Sequence, residues 1–372
     1  MNRQTPLRTP QRPNPERERM AEKQPPKNPL AKLLMILLLT AAALVIACVI
    51  TVVIVLATGG DDVDAKDPSG DKNQTEQNDS DKDGRGAVAT SPSRASYAIG
   101  NASDYRTMSG IATKNAILVD LNSYEAIAGV DPDAEICPAS MTKVMTVLVV
   151  AEHLTSLDDR LTVTADVLNE SLKSGGSGMK DLWIEGNEFS VEDLMYLAHM
   201  QSDTVACKLL ANYICKGGEA EFTDLMNQKA REIGMTNTVF NNSTGLYVPG
   251  QTYRSTCRDV AMLMAYAMDN PLANRILTAN SRVLKKEYAP LSERITIKPT
   301  WITERLGNAT LETVTVKGGK TGYETNPGYC LVSYAESRGG SGRYVLVTVG
   351  GSGVKLADTI KDVKTIYNTY AD

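Results

Sequence analysis

The chain has 372 residues, with 39 lysines and arginines against 44 aspartates and glutamates, for a net charge of -5. That length supports a sizeable core in one or two domains, and the mildly acidic balance argues against nucleic acid as a partner. Six cysteines without Cys-x-x-Cys or Cys/His spacing give no metal site and no disulfide framework, so mostly free, buried thiols are expected. The two histidines, His153 and His199, sit in no catalytic motif and read as helix-surface or packing residues.

Residues 1–32 are rich in proline, arginine and lysine and read as a disordered basic tail. Residues 33–57 carry no charge and are almost wholly apolar. At about 1.5 Å per helical residue the run crosses a hydrocarbon core of about 30 Å. The basic flank puts the tail in the cytoplasm and the rest of the chain outside. The run is too long for a cleaved leader, and it continues past Cys48, where a lipoprotein would turn polar. An uncleaved, single-pass anchor in the cell membrane is therefore expected. Residues 58–95, rich in Gly, Asp, Asn, Ser and Lys, form an extended linker. Folded structure is expected over residues 96–372.

Residues 115–121 and 124–130 read as two strands around an Asn122-Ser123 turn. A helix follows from Pro138 or Ala139, apolar along its length. Ser190 to Asp193 forms a variant of a capping box that opens a helix to about Met200, and further helices cover residues 205–214 and 256–268. The last third changes period. Residues 313–316, 329–334 and 344–349 read as strands, and residues 354–367 as an amphipathic helix that packs back on them. The simplest architecture is a sheet built from both ends of the chain with a helical block between.

Within the first helix, Ser140 and Lys143 stand three apart on one face. Apolar surroundings disfavour an ammonium, so Lys143 can act as a base, and the positive helix start favours negative charge at Ser140. Ser-x-x-Lys also occurs at Ser69, Ser177 and Ser352, none of them on an apolar helix. Two further fragments support Ser140. Ser202-Asp-Thr204 lies at the joint of two expected helices, and Lys320-Thr-Gly322 leads into a turn before the strand at Tyr329. A lysine and a hydroxyl at a sheet edge receive a carboxylate, and a glycine lets substrate backbone come close.

Ser-x-x-Lys, Ser-Asp-Asn and Lys-Thr-Gly in that chain order are the signature of penicillin-binding proteins and class A β-lactamases. With Pro138-Ala-Ser-Met-Thr-Lys143, Met200-Gln-Ser202, Phe240-Asn-Asn-Ser-Thr-Gly-Leu246 and Lys320-Thr-Gly-Tyr-Glu-Thr-Asn-Pro-Gly-Tyr329, the chain from Asn115 onward resembles the low-molecular-mass penicillin-binding proteins, serine-type D-Ala-D-Ala carboxypeptidases. The resemblance implies an α/β (α+β), β-lactamase/transpeptidase-like fold. In it an antiparallel sheet is packed by N- and C-terminal helices, and an all-helical subdomain carries the nucleophile. It implies that Ser140 attacks the peptide bond between two D-alanines while Lys143 takes its proton, and that Ser202 and Lys320 pass a proton to the leaving D-alanine. Lys320, Thr321, Gly322, Tyr323 and Thr204 would bind substrate, with backbone N–H groups of Ser140 and Tyr323 facing the oxyanion. The implied partners are peptidoglycan stem peptides and β-lactams, with no metal or organic cofactor.

This sequence departs from the family pattern at Thr204, which stands in place of an asparagine and lacks an amide's paired donor and acceptor. The separate β-rich C-terminal domain of many members is not expected. No Glu-x-x-Asn element of the class A deacylation type lies between the first and third motifs, which ranks a β-lactamase lower. The alternative of another class is a penicillin- or wall-peptide-binding sensor with weak hydrolysis.

Overall fold

The apolar runs of the two chain ends meet in one sheet. A computed structural model describes residues 96–371, except 174–178, 285–294, 301–305, 307–310, 326–327 and 351–352. The expected tail, apolar run and linker of residues 1–95 lie outside the described residues, as do Ser69, Ser177 and Ser352. No helix among the described residues is long and apolar enough to cross a membrane.

In chain order the principal elements are β1 (Gly100–Thr107), β2 (Asn115–Asp120), β3 (Glu125–Val130), and α1 (Lys143–His153) after a 3₁₀ turn at Ala139–Thr142. Next come β4 (Arg160–Thr162), α2 (Ala165–Lys173), β5 (Glu188–Ser190), α3 (Val191–Met200), α4 (Thr204–Ile214), α5 (Gly218–Ile233), α6 (Cys257–Asp269) and α7 (Pro271–Thr278). The chain ends with β6 (Arg282–Val283), β7 (Thr296–Ile297), β8 (Val314–Glu324), β9 (Gly328–Ser337), β10 (Arg343–Val349) and α8 (Leu356–Tyr370). The main sheet runs β1-β3-β2-β10-β9-β8. The N-terminal strands therefore join the C-terminal ones through the antiparallel pair β2–β10, where Val345 faces Val119 and Val347 faces Ile117.

The central strands read as continuous apolar runs because both faces are covered. Side chains alternate along β2: Ile117 and Val119 pack with the helical block, while Ala116 and Leu118 pack with Val363, Ile366 and Tyr367 of α8. Helix α1 lies at the centre of the other layer and is buried from Lys143 to Ala151, as an all-round apolar helix must be. Short polar residues start the surrounding helices. Ser190 accepts from the Asp193 N–H, Thr256 from the Asp259 N–H, and Asn270 from the Leu272 and Ala273 N–H groups just after Pro271.

The expected α+β architecture is present, with local differences. The sheet is antiparallel except for β1, which pairs parallel with β3. The described residues enter the sheet directly as β1, so the N-terminal packing helix is not among them. Lys320-Thr-Gly322 lies inside β8 rather than in a turn after a short strand, because Gly318 and Gly319 carry no side-chain pattern to reveal the strand's length. Cys207, Cys215, Cys257 and Cys330 are buried and Cys137 is partly buried, with no disulfide among the described residues.

Candidate active site

Ser140 sits in the 3₁₀ turn that delivers the chain into α1, so its position follows from where that core helix must pack. Ala139 just before it holds φ at +47°, a left-handed conformation that costs a residue with a Cβ of order 1 kcal/mol. That strain is held by tertiary contacts. The Tyr253 hydroxyl donates to the Ala139 carbonyl at 2.9 Å, lies 3.1 Å from the Gly245 carbonyl and pairs with Thr142 Oγ1 at 2.6 Å. Gly245 must be glycine for two reasons: its φ is +74°, and a Cβ there would stand 2.0 Å from the Ala139 carbonyl oxygen.

Lys143 is the first residue of α1 and one of the largest fully buried side chains, 1% exposed. Its Nζ lies 3.0 Å from Ser140 Oγ and also donates to the Thr244 carbonyl. Loss of solvation pushes its pKa below that of an ordinary lysine, against the opposing pull of Cys207, Asp203, Glu219 and Glu324. The Thr244 carbonyl is aimed by a local clamp in which Asn242 Oδ1 accepts from Thr244 N, Thr244 Oγ1 and Gly245 N at 2.7–3.0 Å. With one N–H held by the Thr244 carbonyl, a neutral Lys143 amine can turn its lone pair toward the Ser140 hydroxyl.

A second lysine faces this pair from the sheet. Lys320, 1% exposed, donates to Ser202 Oγ at 3.0 Å and to the Thr321 carbonyl at 2.8 Å. Ser202 occupies the turn between α3 and α4 with φ at +55°, again a strained position for a side-chain-bearing residue. Asp203 accounts for that turn: its carboxylate caps α4 by accepting from Ala206 N at 3.0 Å and accepts the Trp183 indole N–H at 3.0 Å. Thr321 Oγ1 pairs with Thr300 Oγ1 at 2.8 Å. At Gly322 an added Cβ would lie 3.1 Å from Ser140 N and 3.2 Å from Ala139 Cβ, so β8 passes directly against the nucleophile turn. Tyr323 follows, 56% exposed and packed at a 45° tilt against Tyr329 with ring centroids 4.6 Å apart.

The structure thus gathers Ser140, Lys143, Ser202, Lys320, Thr321 and Gly322 around one cleft. Thr204 lies beside it, buried at the start of α4, with its hydroxyl paired to Ser171 Oγ of α2 at 2.7 Å. Thr204→Val should therefore leave the buried Ser171 hydroxyl short of a partner. We expect about 1–2 kcal/mol lost in thermal unfolding, with acylation changed less than about threefold. A tenfold loss of acylation with no loss of stability would instead place the Thr204 hydroxyl on the substrate.

His199 does not join the chemistry. Burial, with Lys320 nearby, pushes its pKa down to about 3, and neither ring nitrogen has a hydrogen-bond partner among the described residues. His153 is exposed at the end of α1. The Thr244 carbonyl, Asn242 and Tyr253 are site residues that sequence reasoning missed. The segment from Phe240 to Leu246 contains Asn242 and Thr244 but gave neither a role, nothing pointed to Tyr253, and a backbone carbonyl leaves no trace in side-chain identity.

Residues 102–353 match the D-alanyl-D-alanine carboxypeptidase family. The chain is 32% identical over 239 residues to the D-alanyl-D-alanine carboxypeptidase DacC of Escherichia coli, covering 63% of this chain and 55% of that one. It is 28% identical over 241 residues to the D-alanyl-D-alanine carboxypeptidase DacF of Bacillus subtilis, covering 64% and 57%. It therefore spans little more than half the length of these two relatives. In fold it resembles penicillin binding protein 5 from Haemophilus influenzae, with a TM-score of 0.58, 24% identity, and coverage of 70% and 71% of the two chains.

Proposed function

Because the chain belongs to the D-alanyl-D-alanine carboxypeptidase family, we propose that it is a serine-type peptidase that removes the terminal D-alanine from peptidoglycan stem peptides and is acylated by penicillin. The observation that carries this reading is the buried Lys143 amine 3.0 Å from Ser140 Oγ, facing a second lysine–serine pair across the cleft.

The steps follow from the geometry. The substrate carboxylate is held by the Lys320 ammonium and the Thr321 hydroxyl, the charged end of the cleft. Neutral Lys143 takes the Ser140 proton as Oγ bonds to the carbonyl carbon. The oxyanion lies against the N–H groups of Ser140 and Tyr323, where β8 passes the nucleophile turn; such donors contribute about 3 kcal/mol each. The C–N bond breaks as the leaving amine takes the proton that Lys143 removed, relayed through Ser202, which Lys320 orients; D-alanine departs and Lys143 is neutral again. Water, losing a proton to Lys143, then attacks the ester carbonyl, and Lys143 passes that proton to Ser140 Oγ as the ester C–O bond breaks, which restores both residues. A β-lactam ring opens by the same attack, but its amine stays tethered and the ester persists.

The pH sign follows from Lys143. Its amine must be neutral to act, and its pKa is lowered, so acylation should rise with pH and level off below the ordinary lysine range. A rate that rises only near the pKa of free lysine would contradict this. The experiment that tests the function is incubation with a fluorescent penicillin and, separately, with a peptide ending in D-Ala-D-Ala. Labelling with release of D-alanine supports the peptidase, labelling without release makes the protein a sensor, and rapid loss of label makes it a β-lactamase. The uncharged run at residues 33–57, behind a basic tail, serves as a single membrane anchor that keeps the catalytic domain outside the cell. Recovery of the full chain in the soluble fraction would contradict that part.

A further inference from the structure

Tyr253 lies just before α6 and belongs to none of the three motifs that carry the chemistry. Its backbone is fixed by the residues that follow it. Arg254 and Val239 exchange backbone hydrogen bonds of 2.9 and 3.2 Å, and Ser255 and Ile136 exchange two of 2.8 Å. Ile136 belongs to the segment that runs into the nucleophile turn. The Tyr253 ring is partly buried against the core. A phenol has one proton to give, and the Ala139 carbonyl at 2.9 Å is nearer to it than the Gly245 carbonyl at 3.1 Å. With that proton committed, Thr142 Oγ1 donates to the phenol oxygen at 2.6 Å. Loss of solvation raises the phenol pKa well above its ordinary value, so the proton stays on the oxygen.

The Ala139 carbonyl and the Ser140 N–H are the two ends of one peptide unit. A peptide is planar and almost always trans, so its carbonyl and its N–H point in opposite directions and turn together. That N–H stands at the start of the 3₁₀ turn, where a helix leaves its donors without internal acceptors, and it is the donor assigned above to the oxyanion. Ala139 at φ +47° has no local preference for this conformation, so the direction of the peptide is decided by what holds the carbonyl. A hydrogen bond to the carbonyl oxygen also polarises the unit and strengthens its N–H as a donor.

We infer that Tyr253 is a positioning residue for the oxyanion hole: its hydroxyl, itself held by Thr142, sets the direction and donor strength of the Ser140 N–H through the Ala139–Ser140 peptide. This rests on the reading of Ser140 as the nucleophile of a D-Ala-D-Ala peptidase. Tyr253 acts on the substrate only through that peptide, and its effect belongs to the step in which negative charge forms on the carbonyl oxygen.

The test is Tyr253→Phe, which keeps the ring and removes the hydroxyl. Acylation by benzylpenicillin, and kcat/KM for a peptide ending in D-Ala-D-Ala, should both fall about ten- to a hundredfold, up to the loss of a whole oxyanion donor. The calorimetric Kd of that peptide for Ser140→Ala should be the same with and without Tyr253→Phe, because the carboxylate receptor on β8 is untouched. The signature is infrared. With benzylpenicillin isotope-labelled at the β-lactam carbonyl carbon, the acyl-enzyme ester band should lie at higher wavenumber in Tyr253→Phe than in the parent, since a weaker donor lowers the stretch less. Thr142→Val should move rate and band the same way by smaller amounts, and it carries the test if Tyr253→Phe does not fold. A lower melting temperature with rate and band unmoved would make Tyr253 a packing residue and overturn the inference. The shared Gly245 carbonyl offers an opposing route, because the neighbouring Thr244 carbonyl holds Lys143. A shifted pH profile of acylation with an unmoved band would follow from that route and would also overturn it. Failure of the peptidase reading is separate and shows as no acyl-enzyme on the parent. The amide nitrogen resonance of Ser140, which responds to hydrogen bonding at the preceding carbonyl, then still decides: it should shift in Tyr253→Phe, and an unmoved resonance would end the coupling.

Discussion

Replacing Lys143 by methionine should slow acylation by penicillin about a thousandfold without lowering the melting temperature. The first half follows from the role of the amine. A positioned general base contributes about 10²–10⁴ in rate, and no other base is in contact with Ser140 Oγ among the described residues. His199 is kept neutral by burial but lies on α3, and its ring nitrogens make no contact with the serine. The second half follows from linkage. In the unfolded chain Lys143 binds a proton up to the ordinary lysine range, while in the folded chain its lowered pKa means it releases that proton earlier. Folding therefore opposes protonation, and the stability cost of the lysine is largest at low pH and disappears as pH rises through the normal lysine pKa. Methionine has similar length and carries no such cost, though it forfeits the bond to the Thr244 carbonyl. At neutral pH the variant should melt at or above the parent temperature, and the difference should shrink as pH rises. Acylation retained within tenfold would remove Lys143 from the chemistry.

Gly322→Ala should reduce acylation about a hundredfold while the protein stays folded. A Cβ at this position would lie 2.5 Å from Cys330 Sγ, its cross-strand partner, as well as 3.1 Å from Ser140 N. The cheapest relief is for β8 to move away from the nucleophile turn. That shift carries the Tyr323 N–H away from the oxyanion and spoils the aim at Ser140, and a displacement near 1 Å costs about 10²-fold. The double variant Gly322→Ala, Cys330→Ala separates the two clashes. Removing the sulfur should return thermal stability, but acylation should stay low because the contact with Ser140 remains. Full recovery of acylation in the double variant would show that the glycine serves only β8–β9 packing.

The chemistry-bearing side chains are legible from motif spacing and order along the chain. Ser140 and Lys143 share a face at helical spacing, Ser202-Asp-Thr204 falls at the joint of two expected helices, and Thr321 follows a lysine at a sheet edge. The central strands were legible from their apolar runs. What was hidden has physical reasons. The sequence shows only a short piece of β8 because Gly318, Gly319 and Gly322 interrupt its pattern, although those glycines are what allow Leu277 and Ser140 to lie so close. Strand β1 carries mostly exposed side chains and so no burial signal. Helix α5 begins with a glycine and charged residues, which mask its apolar stripe of Phe222, Met226, Ala230 and Ile233. The left-handed backbone at Ala139 and Ser202 is set by packing across the site, from Tyr253 on one side and the α4 cap on the other, and no local sequence rule asks for it.

The most direct measurement is the mass of the protein after exposure to benzylpenicillin, followed by peptide mapping. One adduct should form with the full mass of the antibiotic, since ring opening loses no atoms, and it should map to the peptide that contains Ser140. It should be absent in Ser140→Ala. No adduct on the parent protein, or an adduct that persists in Ser140→Ala, would contradict a lysine-activated serine at the start of α1.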